Sequence, residues 1–347
     1  MQQSDNVVME VHGLTKWFRV GGGGPFGLGR EARYVHAVDD LSFTLEKGRI
    51  LALVGESGSG KSTIARLLAR LYPVTAGTIR LKGQDALARK NRKAVLAYRS
   101  DVQMIFQDPF GSLNPVKTVG YHLSRPLAIH KGLRGAACER RTHELLHTVG
   151  LVPPEEFVEK YPHQLSGGQR QRVAIACALA VDPEVILADE PTSMLDVSIR
   201  MGILNLLRTL RDERNLSYLY ITHDLASARY IADETMVLYA GHMMEKAPSK
   251  DLMRNPRHPY TRLLISAAPN PAAARTRLQA RGEIPTIVNP RPGCRFAPRC
   301  PLVMDICRQR TPEVIEVRPG HLVRCYAAQP GCSQSVAEST TSASPTL

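Results

Sequence analysis

The chain has 347 residues, room for one large domain with an extension or for two modest ones, and enough to bury a core without disulfide staples. Lys and Arg outnumber Asp and Glu by 45 to 32, a net charge of +13, which points to anionic partners such as a nucleotide, a nucleic acid or an anionic membrane face. No run reaches the ~20 apolar residues that span a bilayer, the N-terminus lacks a basic, apolar leader, and the composition excludes collagen, a coiled coil and wholesale disorder.

In chain order, residues 7–11 and 41–45 alternate as short strands, with a glycine-rich insertion between them at 21–29. Residues 49–54 form an apolar run ending at glycine, the pattern of a buried parallel strand. From Ser62 the period turns helical, with Ile64, Leu67, Leu68 and Leu71 on one face. Residues 78–82 read as a strand closed by Gly83, and 112–161 as a helical insert with scattered prolines. A helix at 169–181, a strand at 185–188, a helix at 198–214, a strand at 218–221 and a helix at 225–232 follow. Strands alternating with helices indicate an α/β core with a mostly parallel sheet. After about Asn255 the text turns Pro- and Arg-rich: residues 256–330 hold twelve Arg, no Lys and four acids. That change marks a separate small unit, and the small, polar residues 333–347 read as a disordered tail.

The stretch Gly55, Glu56, Ser57, Gly58, Ser59, Gly60, Lys61, Ser62, Thr63 follows a predicted strand and opens a predicted helix. A phosphate needs backbone N–H groups packed closely around it, and glycine lets the chain curl that tightly. The helix N-terminus adds partial positive charge, Lys61 supplies a point charge for the outer phosphates, and the Ser62 hydroxyl can ligate Mg²⁺. An ordinary Gly-Ser turn would explain the glycines but not the ordered strand, loop, Lys and helix. Farther on, a buried strand runs into Asp189 and Glu190, placing Asp189 to hold Mg²⁺ through water and Glu190 to orient or deprotonate an attacking water. Ser166, Gly167, Gly168 and Gln169 form a second anion-binding helix start, although a serine cap alone would look the same.

The ordered set GESGSGKST, Gln107, LSGGQ, VILADE, Asp196 and His223 resembles the ATP-binding subunit of ABC transporters over roughly residues 7–254. The resemblance implies a P-loop ATPase core at 1–254, with a mostly parallel sheet, an antiparallel β portion and a helical subdomain near 95–180. It implies a head-to-tail pair of ATPase subunits, in which Ser166, Gly167, Gly168 and Gln169 of one cap the ATP on the loop of the other. By the same resemblance Gln107 touches Mg²⁺ or water and senses the membrane partner, Asp196 sits in the loop between subunits, and His223 contacts the γ-phosphate. An aromatic should stack on adenine; Phe18 fits best, with Trp17 and Tyr34 as rivals. Met194 departs from the family's usual alanine, leaving Asp196 in place.

Residues 255–269, and then Gly282 to Pro285, Asn289, Pro290 and GCRFAPRC, resemble the stretch that follows the core in oligopeptide and dipeptide importers. A C-terminal unit at 255–332 is therefore expected. Cys294, Cys300, Cys307 and Cys325 fit no zinc ribbon, since no CxxC pair occurs, and the resemblance implies that they hold a [4Fe–4S] cluster; four packed free thiols are the alternative. Cys138, Cys177 and Cys332 read as structural. The arginines of this unit offset a cluster's charge, face anionic lipid or form a solvated face; nucleic acid is disfavoured by the lack of interleaved aromatics.

The expected function is ATP hydrolysis driving peptide import at the cytoplasmic face of the membrane. The implied partners are a second ATPase subunit (a paralogue), two permeases and an extracytoplasmic binding protein, without nucleic acid. A nickel-complex or glutathione importer, an exporter and a soluble ABC ATPase are the competing readings; the last usually carries two cores in one chain or a long coiled-coil insert.

Overall fold

The computed structural model describes residues 6–21, 32–88, 91–267 and 287–329, with Pro109 and Phe110 described by backbone alone. All of the glycine-rich insertion at 21–29 except Gly21, the Gly282–Pro285 segment, Cys332 and the tail at 333–347 lie outside the described residues.

The strands are β1 (Val7–Val20), β2 (Arg33–Glu46), β3 (Ile50–Val54), β4 (Ala76–Leu81), β5 (Gln84–Asp85), β6 (Val102–Ile105), β7 (Val185–Asp189), β8 (Ser217–Thr222), β9 (Glu234–Tyr239), β10 (His242–Pro248), β11 (Ile315–Arg318) and β12 (His321–Val323). The main sheet has the order β11-β12-β10-β9-β3-β8-β7-β6. Its β9-β3-β8-β7-β6 portion is parallel. Each residue of β3, β7 and β8 is buried, as expected of strands covered on both faces. At β9 the chain doubles back through Ala240 and Gly241, both at positive φ, which is the backbone a tight hairpin requires.

A second, antiparallel sheet of order β2-β1-β4-β5 packs against the first. Leu14, Leu41, Ile79 and Leu81 from this sheet meet Leu51, Leu53, Leu187 and Leu219 from the main one, with Ile64, Leu67 and Leu68 of the helix Lys61–Leu68 between them. The other face of the main sheet carries the helices Gly167–Leu179 and Val197–Arg214 and the predicted helical insert. That insert consists of Val119–Pro126, which runs into one π-helical turn at Leu127–Lys131, then Gly135–Thr148 and Glu155–Val158. The observed architecture is thus the expected α/β one: a mostly parallel sheet, an antiparallel portion and a helical region.

The composition break near Asn255 does not coincide with a break in the core. Beyond it the helix Pro259–Ala267 and the turn Ala297–Arg299 pack on the main sheet. There Tyr260, Leu263 and Phe296 join Val237, Tyr239 and Met244 in one apolar cluster. Strands β11 and β12 then lengthen the main sheet by pairing β12 with β10.

Candidate nucleotide site

The loop from Gly55 to Gly60 links β3 to the helix Lys61–Leu68 at the carboxyl end of the parallel strands, where open α/β sheets take their ligands. Gly60 sits at φ 102°, and a Cβ there would lie 2.4 Å from the carbonyl oxygen of Ala37, so only glycine lets the loop approach β2 this closely. Lys61 is 4% exposed, and its ammonium turns back into the loop. It donates to the carbonyls of Gly55 (2.7 Å) and Glu56 (2.9 Å) and lies 3.4 Å from Ser59 Oγ. Burial lowers its pKa, opposed by the charges of Glu190, Asp189 and Glu56. A buried cation held by neutral carbonyls is a receptor for an anion.

Ser62 Oγ donates to Asp189 Oδ1 at 2.9 Å. Asp189 ends β7, and burial pushes its carboxyl above the usual aspartate value; the neighbouring Glu190 adds to the rise, while Ser62, Arg66 and Lys61 oppose it. A hydroxyl and a carboxylate at this spacing are the hard oxygen donors that suit Mg²⁺.

The next residue, Glu190, takes a left-handed backbone (φ 46°), with its N–H donating to Ile221 O at 2.9 Å and Ser193 Oγ donating to its carbonyl at 3.0 Å. Its Oε2 accepts from Gln107 Nε2 at 3.2 Å and lies 3.1 Å from His223 Nδ1. Three elements remote in sequence therefore meet at one carboxylate oxygen. Gln107, Glu190, His223 and the loop from Gly55 through Ser57, Ser59 and Ser62 to Thr63 line one open cavity of about 900 Å³, large enough for a nucleotide.

Phe18 is not brought to that cavity. Its ring stands edge-on to Tyr72 at 5.6 Å with the Lys16 ammonium over it. The wall is built instead by Val35, His36 and Ala37 of β2 with Ala240, Leu264 and Ile287. His36 is held by Asp39 (Nδ1 to Oδ2, 2.7 Å) and stacked by Trp17 at 4.3 Å between ring centroids. The sequence reading missed these wall residues. A β-strand alternation around the glycine loop's neighbour Ala37 is the one signal that could have found His36; Leu264 and Ile287 carry none.

Ser166, Gly167, Gly168 and Gln169 also lie away from this cavity. Ser166 caps the helix Gly167–Leu179, its Oγ accepting from the Gln169 N–H at 3.3 Å while Gln169 Oε1 accepts from the Ser166 N–H at 2.9 Å. Asp196 is the N-cap residue of the helix Val197–Arg214, with no side-chain capping bond.

The iron–sulfur expectation is not met. Among the described residues no group of three or more His, Cys, Asp or Glu is arranged to hold a metal ion. Cys294, Cys300, Cys307 and Cys325 are free thiols lining a small apolar space of about 10 Å³ with His258, Phe296 and Ala297, at the lower limit for one water. Burial pushes the Cys294 and Cys300 thiols up to about 11, so in the metal-free chain they are neutral. The four act here as small apolar side chains.

Comparison with known proteins follows the same lines. The family described as ABC transporter matches residues 38–193, and that described as Oligopeptide/dipeptide transporter, C-terminal region matches residues 244–307. The chain is 43% identical over 327 residues to the oligopeptide transport ATP-binding protein AppF of Bacillus subtilis, covering 93% of this chain and 98% of that one. It is 45% identical over 303 residues to the dipeptide transport ATP-binding protein DppF of Escherichia coli, covering 87% and 90%. A dimeric ATP-binding cassette solved with ADP and phosphate in a post-hydrolysis state superposes with a TM-score of 0.59 at 29% identity, over 70% of this chain and 98% of that one.

Proposed function

The chain belongs to the ABC transporter family, and we propose that it is the ATP-hydrolysing subunit of an importer of dipeptides or oligopeptides, working through membrane permeases. The observation that carries the cargo class is the similarity to peptide-transport subunits along nearly the whole chain, the C-terminal region included.

In the proposed mechanism the loop amides and Lys61 hold the β- and γ-phosphates of ATP, while Ser62 and Asp189 hold Mg²⁺. Held there, Mg²⁺ would offset the negative charge that grows on the phosphate oxygens. Glu190 orients a water toward the γ-phosphorus and takes its proton as the new O–P bond forms and the bond to the bridging oxygen breaks. Gln107 and His223 fix the carboxylate oxygen that does this, and His223 contacts the γ-phosphate. The reaction relies on positioning and charge, with no covalent intermediate on the protein.

Ser166, Gly167, Gly168, Gln169 and Asp196 are assigned to the nucleotide of a second ATPase subunit, since they leave their own cavity uncapped. Their surroundings support this: Met194, Val197, Ile199 and Met201, next to Asp196, are exposed apolar side chains. We assign residues 1–254 to the ATPase domain and 255–332 to the importer-type extension. The second subunit is a paralogue, and two permeases with an extracytoplasmic binding protein complete the machine at the cytoplasmic face of the membrane. Among the described residues no helix is long and apolar enough to cross a membrane, so attachment runs through the permeases.

The test is to trap the Glu190→Gln protein with ATP in detergent-solubilised membranes and identify what co-purifies. Two polytopic proteins and a second ATPase are expected; ribosomal proteins or nucleic acid would overturn the importer reading. Uptake of labelled dipeptides by cells carrying or lacking the gene then separates peptide cargo from nickel complexes and glutathione.

A further inference from the structure

Glu56 is an acid in a loop that must receive a polyphosphate, and three contacts fix it. Its N–H donates to Tyr260 Oη at 3.1 Å, its carbonyl accepts from Lys61 Nζ at 2.9 Å, and its carboxylate is gripped by Arg299 through two bonds, Nη1 to Oε2 at 2.8 Å and Nη2 to Oε1 at 3.1 Å. The two-pronged geometry is the strong, oriented form of a guanidinium–carboxylate pair. Arg299 is itself held: its side chain is 6% exposed, its guanidinium lies 5.6 Å over the Tyr239 ring, and Nη1 is 3.5 Å from Tyr239 Oη. Its backbone belongs to the turn Ala297–Arg299, anchored by Phe296, whose ring packs on Tyr239 at 5.3 Å and on Tyr260 at 5.2 Å. Two of the three side chains that hold Glu56, Tyr260 and Arg299, thus come from beyond residue 254.

The Glu56 carboxylate also lies close enough to Lys61 for its charge to bear on the ammonium. Left without its guanidinium, that carboxylate would do two things to an incoming anion. It would repel it directly, and it would compete with it for Lys61.

We infer that Arg299 is a positioning residue for the phosphate-binding loop: it neutralises the Glu56 carboxylate and turns it away from the anion, so that the C-terminal extension sets the loop's affinity for a nucleoside triphosphate. This rests on the reading of the loop as an ATP site. The role is electrostatic and acts through Glu56, which separates it from simple support of the fold.

ATP affinity of the full-length chain, measured with a fluorescent nucleotide and by the ATP KM of the assembled complex, tests it. Arg299→Gln is expected to weaken ATP binding about tenfold, about 1.4 kcal/mol, while kcat at saturating ATP stays within about threefold of wild type. Adding Glu56→Gln to that background is expected to restore most of the affinity, because the freed charge is then absent. Wild-type affinity in Arg299→Gln, or a loss that Glu56→Gln does not relieve, overturns the proposal. Should Arg299→Gln fail to fold, Arg299→Lys keeps the charge but not the fork; a smaller loss, again relieved by Glu56→Gln, is expected, and unchanged affinity overturns the inference. A wild-type chain that binds no ATP would instead overturn the ATPase reading, an outcome distinct from all of these.

Discussion

Glu190 sits in a left-handed backbone conformation at φ 46°, which for a residue other than glycine costs on the order of 1–3 kcal/mol and persists only where the surroundings enforce it. The enforcing bonds come from Ile221 O and Ser193 Oγ, and they aim the carboxylate at Gln107 and His223. If Glu190 handles the water, Glu190→Gln keeps the shape and loses the base. ATP hydrolysis is then expected to fall roughly 10²–10⁴-fold with ATP binding retained, and a near-normal rate in a phosphate-release assay would remove Glu190 from that role. The residue before it yields a stability prediction with a definite sign. Burial raises the Asp189 carboxyl above its unfolded value, so the folded chain holds that proton more tightly than the unfolded one. The stability this contributes is full below the unfolded value and is lost as the pH rises through the folded one. Above both values the ionised Asp189 therefore makes the ligand-free fold less stable, a cost that a bound cation would relieve. Asp189→Asn is expected to melt at a higher temperature than wild type at pH 7.5 without nucleotide or metal, with the gap narrowing as the pH falls toward about 4. The same variant should lose Mg²⁺-dependent hydrolysis, and a lower melting point at pH 7.5 would contradict the argument.

Among the elements, the helix Gly167–Leu179 separates stability from function at one residue. Ser166 caps it, so Ser166→Ala is expected to cost about 1 kcal/mol in chemical denaturation. Ser166→Asp keeps a good cap and suits the helix dipole, yet sets a negative charge where a partner's triphosphate is proposed to dock. Near-wild-type stability with hydrolysis lost in the assembled complex is expected for Ser166→Asp; normal hydrolysis would show that this helix start faces no nucleotide. This helix and the phosphate loop were legible in the sequence through a serine cap and glycines, and the buried strands β3, β7 and β8 through their unbroken apolar runs. The wall of the cavity was not. The β1–β2 pairing has register irregularities between Leu14, Lys16 and Trp17, and each one flips which face the next side chain takes. The resemblance asked only for an aromatic before the loop and so favoured Phe18, whereas the fold brings His36 to the cavity with Trp17 stacked on it. The β9–β10 hairpin was hidden for a related reason: its turn puts Ala240 at φ 48°, where the usual Asn-Gly cue is absent. The cysteines misled differently, since spacing alone does not tell a ligand set from thiols packed for their size.

Over the whole molecule, three arginines of the basic extension turn inward. Arg295 bonds Asp39 and the Ala240 carbonyl, Arg299 grips Glu56, and Arg324 Nη2 lies 3.8 Å from Asp40 Oδ2, so these arginines answer acids of the nucleotide-binding half. The traffic also runs the other way. Glu245 of β10 is fully buried, and its carboxylate accepts from the Arg257 N–H at 2.7 Å and the His258 N–H at 3.0 Å and lies 2.7 Å from His321 Nε2, all from beyond the compositional break. A buried carboxylate stripped of such partners is costly, so the ATPase half is not complete without the segment that follows it. Shared strands, a shared apolar cluster and crossed ion pairs make the two parts one cooperative unit despite the sharp change in composition at residue 255. Phe296, 1% exposed and wedged between Tyr239 and Tyr260, is the place to test this. Phe296→Ala is expected to destabilise the chain by about 3–5 kcal/mol, read as a shift of a single denaturation transition seen alike by circular dichroism and by Trp17 fluorescence. Trp17 lies in β1, so its signal reports the nucleotide-binding half. If its transition stays in place while a separate, earlier one moves, the extension unfolds by itself and the two parts are independent domains.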